Sequence, residues 1–270
     1  MALSYDELDK LASYRKAGLI TGNRVATLGV LNLHINELMF VEICARHGFL
    51  EMIDNQQVVL DDRGSKIWAE LREQKRFYAK DNKGTISSEL FFKILGFDEV
   101  IAIDISDYQG ASVLLDLNLE LSSKDIGGEV DLVVDAGTSE HLFNVPQAFK
   151  NYHAFLKEGG CIYHYLPANN YMEHGFYQFS PTFFESYYRA NNYKLHAIDI
   201  LFLDPSTKKI SPRFSVEYNY SRINPVQWTL LRDKLLVNQV LACKTSTSTC
   251  DKIPFQGAYE DQHWGDSDMA

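Results

Sequence analysis

The sequence predicts an α/β domain with a mostly parallel sheet, and three observations carry that expectation. Three short apolar runs each end in a carboxylate: Val100-Ile-Ala-Ile-Asp104, Ser112-Val-Leu-Leu-Asp116 and Val130-Asp-Leu-Val-Val-Asp135. Strand-like runs alternate with amphipathic helical stretches, which is the pattern of successive βα units. Several of those helical stretches also carry their own start and stop signals.

Taken in order, residues 5–18 predict a short amphipathic helix, with Tyr5, Leu8, Leu11 and Tyr14 at helical spacing. Gly22-Asn23 breaks it, and Arg24-Val-Ala-Thr-Leu-Gly29 reads as a buried strand closing on a glycine turn. Residues 36–80 read as helical and run into a basic stretch, Arg72 to Lys83, whose plain interpretation is a solvated helix face. Gly84-Thr-Ile-Ser-Ser-Glu89 then opens a helix, with hydroxyls ready to cap free amides and Ile86, Leu90, Phe91, Ile94 and Leu95 as its apolar positions. Gly96 ends it, and the acid-terminated strands follow.

Asn144-Val-Pro-Gln-Ala-Phe149 begins another helix, with Pro146 in its first turn, and Gly159-Gly160 is expected to end it. Cys161-Ile-Tyr-His-Tyr-Leu166 is the next strand, and Pro167 is expected to stop it. Ser180-Pro181 caps a helix that closes at Asn191-Asn192, and strands are expected near residues 195–203 and 240–244. The sum is a sheet of about seven strands with helices on both faces, as in open α/β sheets. One domain spans residues 1–245, and residues 246–270 form an irregular tail.

Composition narrows the function classes. Hydrophobic residues at 46% and charged residues at 23% are ordinary for a globular chain and exclude disorder. A net charge of −10 and a sequence pI near 5.3 disfavour work on phosphate backbones, so no nucleic-acid partner is expected. The sixteen Phe, fifteen Tyr and three Trp residues suit a pocket for a heterocyclic ligand. Cys44, Cys161, Cys243 and Cys250 show no CxxC spacing, so neither a zinc site nor a disulfide framework is expected. Cys161 and Cys243 read instead as small core residues. The first ten residues carry acids where a signal peptide needs an apolar run, and no stretch is long enough for a membrane span. A cytoplasmic protein is expected; its oligomeric state is not legible.

The most specific segment is Asp131-Leu-Val-Val-Asp-Ala-Gly-Thr-Ser-Glu-His141, a strand ending in an acid with Glu-His in the following turn. Phe155-Leu-Lys-Glu-Gly-Gly160 follows after a helix. With these segments in this order, residues 20–245 resemble the class I S-adenosylmethionine-dependent methyltransferases, whose Leu-Lys-Pro-Gly-Gly segment the second stretch matches. Pro167-Ala-Asn-Asn-Tyr-Met-Glu-His-Gly-Phe-Tyr-Gln-Phe-Ser-Pro181 is similar to a bacterial subgroup of predicted methyltransferases, several associated with cell-surface glycan or secondary metabolism.

The resemblance implies a Rossmann-like methyltransferase fold and S-adenosylmethionine as cofactor. It implies that Asp104, with Ile105 beside it, takes the ribose hydroxyls, since one carboxylate can accept two vicinal O–H groups. Asp116 with Leu117 matches the position that receives the adenine amino group. Asp135, Ala136 and Gly137 match the strand end that approaches the methionine portion, where negative charge favours the sulfonium. One departure stands out: no GxGxG follows the first strand, which runs into Gly29-Val-Leu-Asn-Leu33 instead. The cofactor loop is therefore read as split by an insertion, with Gly29 as one lip, Gly84 and Thr85 as the other, and residues 34–83 as a helical lid.

Methyl transfer needs alignment, a dry pocket and, for a hydroxyl acceptor, a base. His141, on the ligand-binding edge, and His174, in Glu173-His174-Gly175, are the candidate catalytic residues, because a neutral imidazole accepts a proton near pH 7. The bland alternatives are a helix-capping role for His141 and an ordinary exposed-loop role for His174. His164 alternates with Tyr163 and Tyr165 and reads as a core histidine, while His34 and His153 read as structural. Phe176-Tyr177-Gln-Phe179 either walls the acceptor pocket or staples a loop. No HExxH, Walker loop or clustered ligand spacing appears, so no metal site is expected unless a few carboxylates assemble from distant segments. The expected activity is methylation of a small molecule, at an oxygen of a sugar or other metabolite. Its rivals are a non-catalytic relative, kept open by the missing glycine loop, and an NAD(P)-dependent oxidoreductase, disfavoured by the absence of GxGxxG.

Overall fold

The chain begins with β1 (Ala2–Leu3), α1 (Tyr5–Lys16), β2 (Arg24–Leu28), β3 (Asn32–Leu33), α2 (Glu37–Arg46), β4 (Glu51–Ile53), β5 (Gln57–Val59) and α3 (Asp62–Glu73). It continues through β6 (Ile86–Ser87), α4 (Ser88–Ile94), β7 (Glu99–Asp104), β8 (Val113–Leu114), β9 (Val130–Ala136) and α5 (Val145–Phe155). β10 (Leu156–Asn169), α6 (Pro181–Ala190), β11 (Lys194–Leu203), β12 (Ile210–Glu217) and β13 (Leu235–Cys243) complete it. The computed structural model describes residues 2–53, 57–59, 62–73, 85–204, 210–218 and 234–256.

Eight strands form one sheet in the order β12-β11-β13-β10-β9-β2-β7-β8. From β8 to β10 every neighbouring pair is parallel. β13 runs antiparallel to both β10 and β11, so β11 points the same way as β10. The first long strand, β2, thus lies centrally; the chain steps out to β8, returns to β9 and β10, and slots its last strand in reverse between β10 and β11. This is the Rossmann-like methyltransferase fold. The reversed β13 departs from the all-parallel order of a dinucleotide-binding sheet.

Alternation of side chains sorts the core onto two faces. Val25, Leu132, Val134, Cys161 and Tyr163 pack with α1, α2 and α4 on one side. Ala26, Ile101, Ile103, Val133 and Ile162 pack with α5 and α6 on the other. Val145, Ala148, Phe149, Tyr152 and Phe155 of α5 are all buried there, each large side chain contributing roughly 1.5–3 kcal/mol.

The expected sheet of about seven strands carries one more at its edge, β12, where the N–H that Pro212 lacks is tolerated. Other expectations change. Residues 36–80 are not one helical stretch. Asn36 caps α2 through Met39 N at 2.9 Å, Gly48 leaves it with φ +74°, and a β4–β5 hairpin separates it from α3. Residues 74–84, with most of the basic stretch and Gly84, lie outside the described residues. Pro167 does not stop β10, which runs on to Asn169. Pairing with β9 has already ended at Tyr165, so the ladder on that side does not need the donor that proline lacks. Finally, Cys161 and Cys243 are not separate core thiols. They are register partners on β10 and β13 and form a disulfide, an adjacency hidden by a sequence separation of 82.

The segment between β3 and β6 begins and ends in one place. β3 and β6 pair antiparallel, with Asn32 opposite Ser87 and Leu33 opposite Ile86. A segment whose ends meet can be accommodated without disturbing β2 or α4. Its helix α2 buries Phe40, Val41, Ile43 and Cys44 in the core, and Phe40 meets Trp68 of α3 edge-on at 5.9 Å. Among the described residues, no helix is long and apolar enough to cross a membrane.

Candidate active site

The carboxyl ends of β2, β7, β8, β9 and β10 share one sheet edge, the place where open α/β sheets bind ligands. Gly29 leaves β2 with φ +83° and Gly137 leaves β9 with φ +89°. Glycine alone adopts such angles without steric cost. The Gly29 N–H donates to Ile103 O at 2.6 Å, and Thr138 Oγ1 donates to Leu28 O at 2.5 Å, so three strand ends are tied together. Thr85 Oγ1, just before β6, is buried without a partner. A cofactor hydroxyl or amine would satisfy it.

Asp104 ends β7 half-buried; its Oδ1 accepts Ser106 N at 3.3 Å, and it keeps acceptor capacity toward the edge. Ile105 beside it is 71% exposed, an apolar surface suited to a flat ring. Asp116 Oδ1 accepts Asn118 N and Nδ2 at 2.9 and 2.8 Å, which curls the turn after β8. Leu117 is buried, and its carbonyl accepts Asn151 Nδ2 from α5 at 3.0 Å. Asn151 also takes Leu121 N and bonds Leu119 O, so one buried amide shapes the whole turn. These acids and glycines therefore fit an adenosine-bearing cofactor: acceptors for hydroxyls, a turn for the base, and strand ends without Cβ atoms.

Asp135 is placed differently from Asp104. Its carboxylate is fully buried and turned toward α5 and α6. It accepts Thr138 N at 3.3 Å, Ser139 N at 3.2 Å, Ser139 Oγ at 2.6 Å and His164 Nδ1 at 2.8 Å. His164 Nε2 meets Tyr188 OH at 2.6 Å, and Ser139 Oγ meets Tyr152 OH at 2.9 Å. The acid is occupied by the core, and the strand end it supports offers the backbone of Ala136 and Gly137. His164, stacked on Phe149, is the core histidine that its alternation predicts.

The two candidate catalytic histidines come together. A 3-10 turn at Ser139–His141 carries His141, the loop after β10 carries His174, and the ring centroids are 5.2 Å apart. Glu140, which the sequence did not single out, joins them. Its side chain is 1% exposed, with Oε1 3.5 Å from His174 Nε2 and 3.9 Å from His141 Nε2. Burial, reinforced by Asp135, pushes its carboxyl up to about 8. Burial and then the neighbouring His174 hold the His141 imidazole below its usual value, which favours the neutral ring. Gly175 explains the approach: a Cβ there would stand 2.7 Å from Glu140 O. Tyr177 N also donates to Glu140 O, at 3.1 Å. Phe143 and Phe176, both exposed, meet edge-on at 5.7 Å, and Tyr177 OH donates to Phe143 O, so the aromatic run both staples the loop and leaves an apolar rim.

No protein-family model matches the sequence, and no curated protein matches it. Among solved structures, the chain is similar to a SAM-dependent methyltransferase from Archaeoglobus fulgidus, at 11% identity and TM-score 0.43 over 89% of this chain and 94% of that one. It is also similar to TehB from Haemophilus influenzae, at 12% identity and TM-score 0.41 over 76% and 67% of the two chains. A third is the 1,6-didemethyltoxoflavin-N1-methyltransferase of Burkholderia thailandensis, solved with 1,6-didemethyltoxoflavin and S-adenosylhomocysteine: 14% identity, TM-score 0.37, 68% and 79% covered. At such scores these are likenesses only; the fold rests on the strand order.

Proposed function

We propose that the protein is an S-adenosylmethionine-dependent methyltransferase acting on a small molecule, at an oxygen of a sugar or other metabolite. The observation that carries this reading is one sheet edge bearing both an acceptor carboxylate, Asp104, and the exposed His141–His174 pair. Asp104 and Ile105 hold the ribose, and the Asp116–Leu117 turn holds the adenine. The backbone of Ala136 and Gly137 faces the methionine end, with Asp135 acting behind it as a positioning residue. Gly29 and Thr85 are the described lips of the split cofactor loop, and the exposed Leu38 and Met39 at the start of α2 belong to the segment proposed as its lid.

Bound there, S-adenosylmethionine supplies an electrophilic methyl group. The protein's share is alignment and proton handling. Phe143, Phe176 and Met172 present an exposed apolar rim against which an acceptor can lie. His141 or His174 takes the hydroxyl proton on a ring nitrogen as the oxygen attacks. Calorimetry with S-adenosylhomocysteine tests the reading. Saturable binding that weakens in Asp104→Ala, by about 1–3 kcal/mol for one lost charge-assisted contact, is the expected result. A folded protein that binds nothing at millimolar ligand refutes it.

A further inference from the structure

We propose that Glu140, His141 and His174 bind one divalent transition-metal cation of the zinc or nickel type. One ligand atom from each residue can be chosen so that all three lie within 4.8 Å of one another. The carboxylate is the fixed member: Glu140 is buried, and its Oε2 has no hydrogen-bond partner. A buried carboxyl oxygen without a donor is costly, and a cation held by both Oε1 and Oε2 supplies what is missing. The imidazoles are the movable members, with side chains 46% and 49% exposed, so small rotations close both Nε2 atoms onto Oε1.

The donor set selects the ion. Two imidazole nitrogens and one carboxylate oxygen suit zinc, nickel or iron, whereas magnesium and calcium favour all-oxygen sites. Three protein ligands leave a coordination position open, as catalytic rather than structural sites do. His174 is held in place from behind by the Gly175–Glu140 contact and by the Tyr171 ring at 5.5 Å. Cation binding stands on these residues alone; its use rests on the methyltransferase reading. In that use an acceptor hydroxyl takes the open position and gives its acidified proton to water, its oxygen takes the methyl group as the S–CH3 bond breaks to leave S-adenosylhomocysteine, and the imidazoles act as ligands in place of the base role given above.

The test uses the full chain, stripped of metal by chelation and titrated calorimetrically with Zn²⁺, Ni²⁺ and Mg²⁺. One equivalent of Zn²⁺ or Ni²⁺ should bind, with Mg²⁺ far weaker, and His141→Ala and His174→Ala should each weaken binding at least about tenfold. Both residues are exposed, so circular dichroism should report unchanged folds, and His34→Ala, at an exposed position elsewhere, should bind as the wild type does. Absence of stoichiometric binding, or full affinity in both histidine variants, overturns the proposal. Titration of the same sample with S-adenosylhomocysteine keeps the two readings apart: cofactor binding without metal binding sinks only this proposal.

Discussion

Replacing Asp135 by alanine probes the role the structure gives that acid. The change removes the acceptor for two backbone N–H groups, the Ser139 hydroxyl and His164 Nδ1, all buried. Leaving a buried donor unsatisfied costs about 1–3 kcal/mol. The two N–H contacts, at 3.3 and 3.2 Å, are long and count at the low end. Ser139 Oγ keeps Tyr152 OH, so the largest single loss is His164, which sits at 2.8 Å and 0% exposure. The total comes to about 3–5 kcal/mol, the range for removing one member of a buried pair. Urea unfolding followed by circular dichroism measures it. Asp135→Asn, which keeps an acceptor oxygen, should cost less than alanine, and Tyr188→Phe about 1 kcal/mol. A wild-type midpoint for Asp135→Ala, combined with weakened S-adenosylhomocysteine binding, would refute this account and return the carboxylate to direct cofactor contact.

Three other outcomes are expected. Burial raises the Glu7 carboxyl from the ordinary 4.5 to about 7, so the folded state holds its proton longer than the unfolded chain. Stability therefore falls as pH rises from 4.5 through 7, by about 3 kcal/mol in all. Glu7→Gln should flatten that slope and raise stability at pH 8; an unchanged pH profile by chemical denaturation contradicts the burial. Gly175→Ala forces a Cβ against the Glu140 carbonyl and should cost about 1–3 kcal/mol by thermal or urea unfolding, whereas a neutral result means the loop is not seated there. Thiol titration in denaturant should find two free thiols, Cys44 and Cys250, before reduction and four after it. Four at the outset contradict the Cys161–Cys243 bond.

The parallel half of the sheet was legible because apolar runs ending in acids have few other uses. Direction was less so. Asp104 and Asp135 look alike in the sequence, yet one faces the edge and the other the core, because only Asp135 has Ser139 and His164 within reach. The histidine pair was visible as two residues but not as a pair, since β10 and its loop bring His174 over the turn after β9. Glu140 was visible in the Glu-His turn but not as a buried group: a glutamate in a polar turn reads as exposed until Gly175 allows a loop to cover it. The disulfide and β12 were hidden for related reasons, one in strand adjacency and the other behind a proline.

A crystal structure with S-adenosylhomocysteine tests the central claim most directly. Ligand density is expected along the carboxyl edge, with ribose hydroxyls on Asp104, adenine at the Asp116–Leu117 turn and the sulfur facing the His141–His174 pair. Density elsewhere on the chain, or a ribose that does not meet Asp104, would contradict it.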